Sequence, residues 1–141
     1  MRASVGRHLG LAPALFRLHK HGRLPKLFQV IGISRRPFSD EEFQAQVLSI
    51  LKSTPEGAGD GAEMEAFASL FHYISGDFSE EPLYNALSEK LGIEDKKWSE
   101  CSNKLYYFAV PPVNYESIIN GLAQKGLNTP CSDGVGYTRI I

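Results

Sequence analysis

The sequence predicts an α/β fold: a Rossmann-like parallel sheet with helices on both faces. Helix-period apolar patterns alternate along the chain with short apolar runs, as expected when helices cover a parallel sheet. The runs LFQVIGIS, FHYIS and KLYYFAV are rich in Val, Ile and aromatic residues, which suit strands. LFQVIGIS shows little polar alternation, the pattern of a strand buried on both faces.

The elements follow in order. PALFRLHKHG opens at Pro13, suited to a first helical turn, and closes at Gly22, suited to a C-terminal cap. The strand LFQVIGIS comes next. Ser39 and Glu42 have capping-box spacing and start a helix whose apolar face reads Phe43, Val47, Ile50 and Leu51. TPEGAGDGAE, broken by Pro and Gly, reads as a surface loop. A helix through Met64, Phe67 and Leu70 leads into the strand FHYIS, which stops at Gly76. Leu83, Leu87 and Leu91 mark a helix that Gly92 would end. KLYYFAV is a strand closed by Pro111 and Pro112. Tyr115, Ile118, Ile119 and Leu122 form an amphipathic helix ending near Gly126, and YTRII is a final strand. The chain opens on a helix with no strand to feed it. The first strand and Gly-rich turn of such a fold therefore read as missing or degraded.

A chain of 141 residues supports one domain with a real core. Its 43% hydrophobic and 22% charged residues are ordinary for a soluble globular protein. No apolar run approaches the ~18 residues of a membrane span. A formal net charge of -1 argues against nucleic-acid and membrane partners. The charge is uneven, however: every acid lies at or beyond Asp40, while eight Arg and Lys residues precede it. Arg-rich, acid-poor openings also mark organelle-targeting peptides, but folded-domain punctuation from Pro13 onward favours a structured segment. Cys101 and Cys131 have neither metal-ligand spacing nor the density of a secreted scaffold, so a reducing cytoplasm is expected.

Candidate binding residues cluster where strands end. Arg35 follows the first strand, where a dinucleotide fold places the adenosine ribose. An acid there favours NAD, whereas a guanidinium suits the 2′-phosphate of NADP. The plain alternative is a solvated basic turn before Pro37. Asp77 and Phe78 follow the second strand, where ligands bind in open α/β sheets, although Gly-Asp is also ordinary turn chemistry. Ala109, Val110, Pro111 and Pro112 could wall a ligand or merely stop a strand. His8, His19 and His21 lack ligand partners at metal spacing, and His72 fits a core histidine better than a base. Neither cysteine has an activating partner, and Trp98 reads as a packing anchor.

At PALFRLHKHGRLP, VIGISRRPFSDEEF, YISGDF, LYYFAVPPVNYESII and YTRII, the sequence resembles the glucose-6-phosphate dehydrogenase family. The resemblance implies a partial NAD(P)-binding domain over residues 12–141, behind an atypical segment, 1–11. That segment departs from the family's GASGDL turn, which Ala3, Ser4 and Gly6 echo only loosely. It further implies NADP, or NAD in some members, and oxidation of glucose 6-phosphate to 6-phosphogluconolactone in the pentose phosphate pathway. Arg35 then becomes the 2′-phosphate ligand, with Arg36 as a helper. Asp77, Phe78 and Pro111 lie beside the cofactor, and Tyr115 aligns with a tyrosine that contacts it. No catalytic residue carries over. The family's Glu-Lys-Pro lysine, catalytic histidine and sugar-phosphate ligands have no counterpart here, so glucose 6-phosphate needs the C-terminal domain. These residues alone are expected to be inactive. Self-association is expected through unpaired strand edges. The alternatives are a non-catalytic Rossmann-like nucleotide-binding or interaction module, and a non-functional remnant.

Overall fold

The structure is a computed structural model that describes residues 10–55, 61–130 and 136–141. The readings on Ala3, Ser4, Gly6, His8 and Cys131 fall outside those residues. The chain divides into two compact units, Met1–Ser75 and Gly76–Ile141.

The first unit carries α1 (Leu11–Lys20), β1 (Val30–Ser34), α2 (Asp40–Lys52), α3 (Gly61–Ala68) and β2 (Phe71–Ser75). Pro13 sits in the first turn of α1, where its missing N–H is not needed. Arg17 and Lys20 place cations in the last turn, where they stabilise the negative end of the helix dipole. Gly22 adopts φ +62° and lets the Arg23 N–H reach the Leu18 carbonyl at 2.9 Å, which closes the helix.

The capping box of α2 forms as expected: Glu42 N–H donates to Ser39 Oγ (3.1 Å) and Ser39 N–H to Glu42 Oε2 (2.8 Å). Phe43, Val47 and Leu51 are buried with Phe16, Met64, Phe67 and Phe71 in one apolar cluster. Ile50 only flanks that cluster, half-buried. Two boundaries shift. The loop read through Glu63 is already helical from Gly61, because Ala62 and Glu63 propagate a first turn. The same helix stops at Ala68, short of Leu70, where a turn from Phe67 O to Leu70 N feeds β2.

β1 and β2 pair in parallel, with Val30 opposite Phe71 and Ser34 opposite Ser75. A Cβ on Gly32 would lie 2.5 Å from Phe43 Cζ, so glycine lets α2 pack close to the strand. The far edge of β2 is capped by α2 side chains: Tyr73 N–H donates to Asp40 Oδ1 (2.7 Å) and Gln44 Nε2 to Phe71 O (2.9 Å). All five residues of β1 are half-buried, not buried on both faces as expected. Among the described residues β1 has a strand partner on one edge only.

The second unit carries α4 (Glu81–Trp98), β3 (Lys104–Tyr106), a 3-10 turn (Pro112–Asn114), α5 (Tyr115–Gln124) and β4 (Thr138–Ile140). α4 runs through Gly92, which was expected to end it. A mid-helix glycine costs only ~1 kcal/mol, and Ser99 at φ 55° takes the left-handed cap instead. β3 is shorter than KLYYFAV because a turn from Ala109 N to Tyr107 O bends the chain, although Phe108 N–H still reaches Ile141 O (2.9 Å). β3 and β4 pair in parallel. α5 buries Ile118, Gly121 and Leu122, whereas Ile119, read as part of that face, is 44% exposed. Cys101 is disulfide-bonded, which leaves no thiolate there.

Tyr106 donates its hydroxyl proton to Leu127 O (2.9 Å), and burial pushes its pKa from 10.0 up to about 12. Folding thus favours the neutral phenol. That stabilisation is fully present below pH ~10 and is lost as pH rises through ~12. Urea denaturation across this window should show wild-type stability falling with pH more steeply than that of Tyr106→Phe. Identical alkaline profiles would contradict the assignment.

Candidate cofactor site

β1 ends at Ser34, and Arg35, Arg36 and Pro37 follow as an exposed turn. Its backbone is held from β2. Tyr73 O–H donates to Arg36 O (2.8 Å), and Arg36 N–H donates to Ser34 Oγ (3.2 Å). Ser34 Oγ lies 2.5 Å from the Tyr73 hydroxyl, and Ser75 Oγ reaches Arg35 O at 3.5 Å. This turn stands at the carboxyl ends of two parallel strands, where ligands bind in open α/β sheets. Tyr73 and Ser75 were not singled out from sequence. Their spacing of two in FHYIS, which puts both on one face of a strand, was the available signal. His72 is partly exposed, with Nδ1 2.8 Å from Asp40 Oδ2.

In the second unit Asp77 Oδ1 accepts from the Ser79 N–H (2.9 Å) and hydroxyl (2.7 Å), the turn chemistry that Gly-Asp suggested. Phe78 O accepts from the Tyr84 hydroxyl (2.6 Å), which also lies 3.3 Å from Ser117 O. Burial, and secondarily the Asp77 charge, raise the Tyr84 pKa. Phe78, Tyr84, Ser117 and Asn120 help line a cleft of about 220 Å³. Tyr84 and Ser117 had no sequence signal for this role, which depends on α4 meeting α5. Glu81 in the first turn of α4 pairs with Lys125 (2.7 Å), whose hydrogen bond and charge lower its pKa.

Pro111 is exposed, and its carbonyl accepts from Asn114 N–H (3.0 Å) to open the 3-10 turn. Tyr115 begins α5, 38% exposed, with its ring 5.6 Å from that of Phe108. Asp77 and Phe78 therefore precede the N-terminus of α4, while Pro111 and Tyr115 flank that of α5. Neither N-cap residue supplies a side-chain hydrogen bond to its helix. Such ends attract anionic groups. Among the described residues no group of three or more His, Cys, Asp or Glu could hold a metal ion. No helix among them is long and apolar enough to cross a membrane.

Parallel strand pairs, alternating helices and a basic turn at a strand's carboxyl end define an α/β domain of the dinucleotide-binding class. The family model "Glucose-6-phosphate dehydrogenase, NAD binding domain" matches residues 8–141, and the chain belongs to that family. A nucleotide is accordingly the cofactor class of this domain. Glucose-6-phosphate 1-dehydrogenase of Streptococcus pneumoniae is 34% identical over 131 residues, which cover 93% of this chain and 25% of that protein. The enzyme of the same name from Leuconostoc mesenteroides is 30% identical over 131 residues, covering 93% of this chain and 26% of that one. The chain thus spans about a quarter of the length of these curated relatives. A solved glucose-6-phosphate dehydrogenase in complex with its substrate glucose-6-phosphate shares the fold, with a TM-score of 0.80 at 24% identity. That match covers 99% of this chain and 28% of the other.

Proposed function

We propose that this chain is the nucleotide-binding part of a glucose-6-phosphate dehydrogenase and holds NADP through Arg35. The observation that carries the reading is the exposed Arg35–Arg36 turn beyond β1, with its backbone fixed by Ser34, Tyr73 and Ser75. A guanidinium there offers a planar fork to a phosphate dianion, and no carboxylate occupies the two positions that follow the strand. Arg36 adds a second charge. NAD, which lacks the 2′-phosphate, binds more weakly on this account.

Asp77, Phe78, Pro111 and Tyr115 are proposed as further cofactor contacts, and residues 12–141 as one cofactor-binding domain. The bound nicotinamide would accept a hydride from glucose 6-phosphate, giving 6-phosphogluconolactone in the pentose phosphate pathway. No residue of this chain is assigned as the base, and the sugar phosphate requires further polypeptide of the family. Self-association is proposed through the β3–β4 face, where Leu105 is 60%, Tyr107 50% and Ile141 65% exposed.

Adding NADP to isotope-labelled chain tests the site directly. Amide resonances of Ser34, Arg35 and Arg36 should shift most, with those of Asp77, Phe78 and Tyr115 also moving. No shifts, or shifts confined to other residues, would overturn the assignment.

A further inference from the structure

We propose that Tyr73 is a positioning residue for 2′-phosphate recognition: its hydroxyl fixes the turn from which Arg35 reaches the ligand. The inference rests on the NADP reading above and adds a residue to it. The Tyr73 hydroxyl has one proton, which goes to Arg36 O at 2.8 Å. Its 2.5 Å contact with Ser34 therefore has Ser34 Oγ as the donor. Ser34 Oγ in turn accepts the Arg36 N–H at 3.2 Å. The three groups close a ring in which each donates once and accepts once. That ring ties the end of β1 to Arg36 and fixes the peptides on both sides of Arg36.

The rest of Tyr73 is anchored independently of its hydroxyl. Its ring packs on Phe38 at 5.5 Å and on Phe43 at 5.1 Å, and its N–H is held by Asp40. Phenylalanine at this position keeps the ring contacts and removes only the link to the turn. Arg35 itself is exposed, and its side chain springs from the backbone that the hydrogen-bonded ring holds.

The test uses this chain with 2′,5′-ADP and 5′-AMP as probes, which differ by the phosphate in question. Tyr73→Phe should weaken 2′,5′-ADP binding about three- to tenfold and leave 5′-AMP unchanged, as expected for loss of one or two positioning hydrogen bonds. Ser34→Ala breaks the same ring from the other side and should do likewise. Because the effect passes through the Arg35–Arg36 turn, neither change should weaken 2′,5′-ADP further when added to the Arg35→Ala, Arg36→Ala double variant. Unchanged affinity, equal loss of both probes, or any additional loss on the Arg35→Ala, Arg36→Ala background would overturn the proposal. If the unaltered chain does not prefer 2′,5′-ADP to 5′-AMP, the Arg35 reading itself falls and this inference falls with it.

Discussion

Phe67→Ala is expected to lower the stability of the first unit by about 3–5 kcal/mol, a large part of what a domain of this size has. Phe67 is 0% exposed, and its ring lies 5.2 Å from Phe16, 5.2 Å from Phe71 and 5.3 Å from His19. Truncation removes apolar surface and leaves a cavity between α1, α3 and β2 that these rings are too constrained to fill. Ile50→Ala, at a half-buried flanking position, should cost clearly less. Urea denaturation of both variants gives the comparison. A Phe67→Ala loss below about 1 kcal/mol would mean that the core is not organised around this ring.

The same glycine-to-alanine change should have opposite signs in two helices. At Gly121 a Cβ would stand 2.1 Å from Tyr84 Cζ and 2.2 Å from Cε2. Tyr84 is 4% exposed and its hydroxyl is bonded to Phe78 O, so the ring has little room to retreat. Overpacking of this kind costs about 1–3 kcal/mol, against a helix-propensity gain of about 1. The steric term wins, and Gly121→Ala should lower the melting temperature. At Gly92 nothing lies within 4 Å of the added Cβ, so only the propensity gain remains and Gly92→Ala should raise it. Thermal melts of the two variants settle the contrast. Equal signs would show that α4 and α5 do not pack through Tyr84.

Local chemistry was legible in the sequence and tertiary chemistry was not. The Ser39–Glu42 capping box, the left-handed glycines at 22 and 126, and FHYIS as a strand all rest on neighbouring residues, and all are present. Gly92 misled because a glycine reads as a stop unless the following turns are known to pack. Ile119 misled because α5 buries a narrower stripe than its apolar residues suggest. The strand KLYYFAV is cut short by a backbone turn that no residue type announces. At the proposed site, the exposed basic turn after β1 was legible as a strand followed by two cations. The spacing in FHYIS puts Tyr73 and Ser75 on one face of a strand, but which turn they hold was not legible, because it depends on pairing residues 39 positions apart in the chain.

The central claim, that Arg35 makes this domain a reader of NADP, is tested most directly by calorimetric titration of NADP and NAD. The unaltered chain, Arg35→Ala, and Arg35→Ala with Arg36→Ala provide the three arms. A charge-assisted contact contributes about 1.5–3 kcal/mol, so the unaltered chain should prefer NADP roughly ten- to hundredfold. Arg35→Ala should remove most of that preference while leaving NAD binding almost unchanged, and the double variant should remove the remainder. Equal weakening of both cofactors, or an NADP preference that survives the double change, would contradict the account.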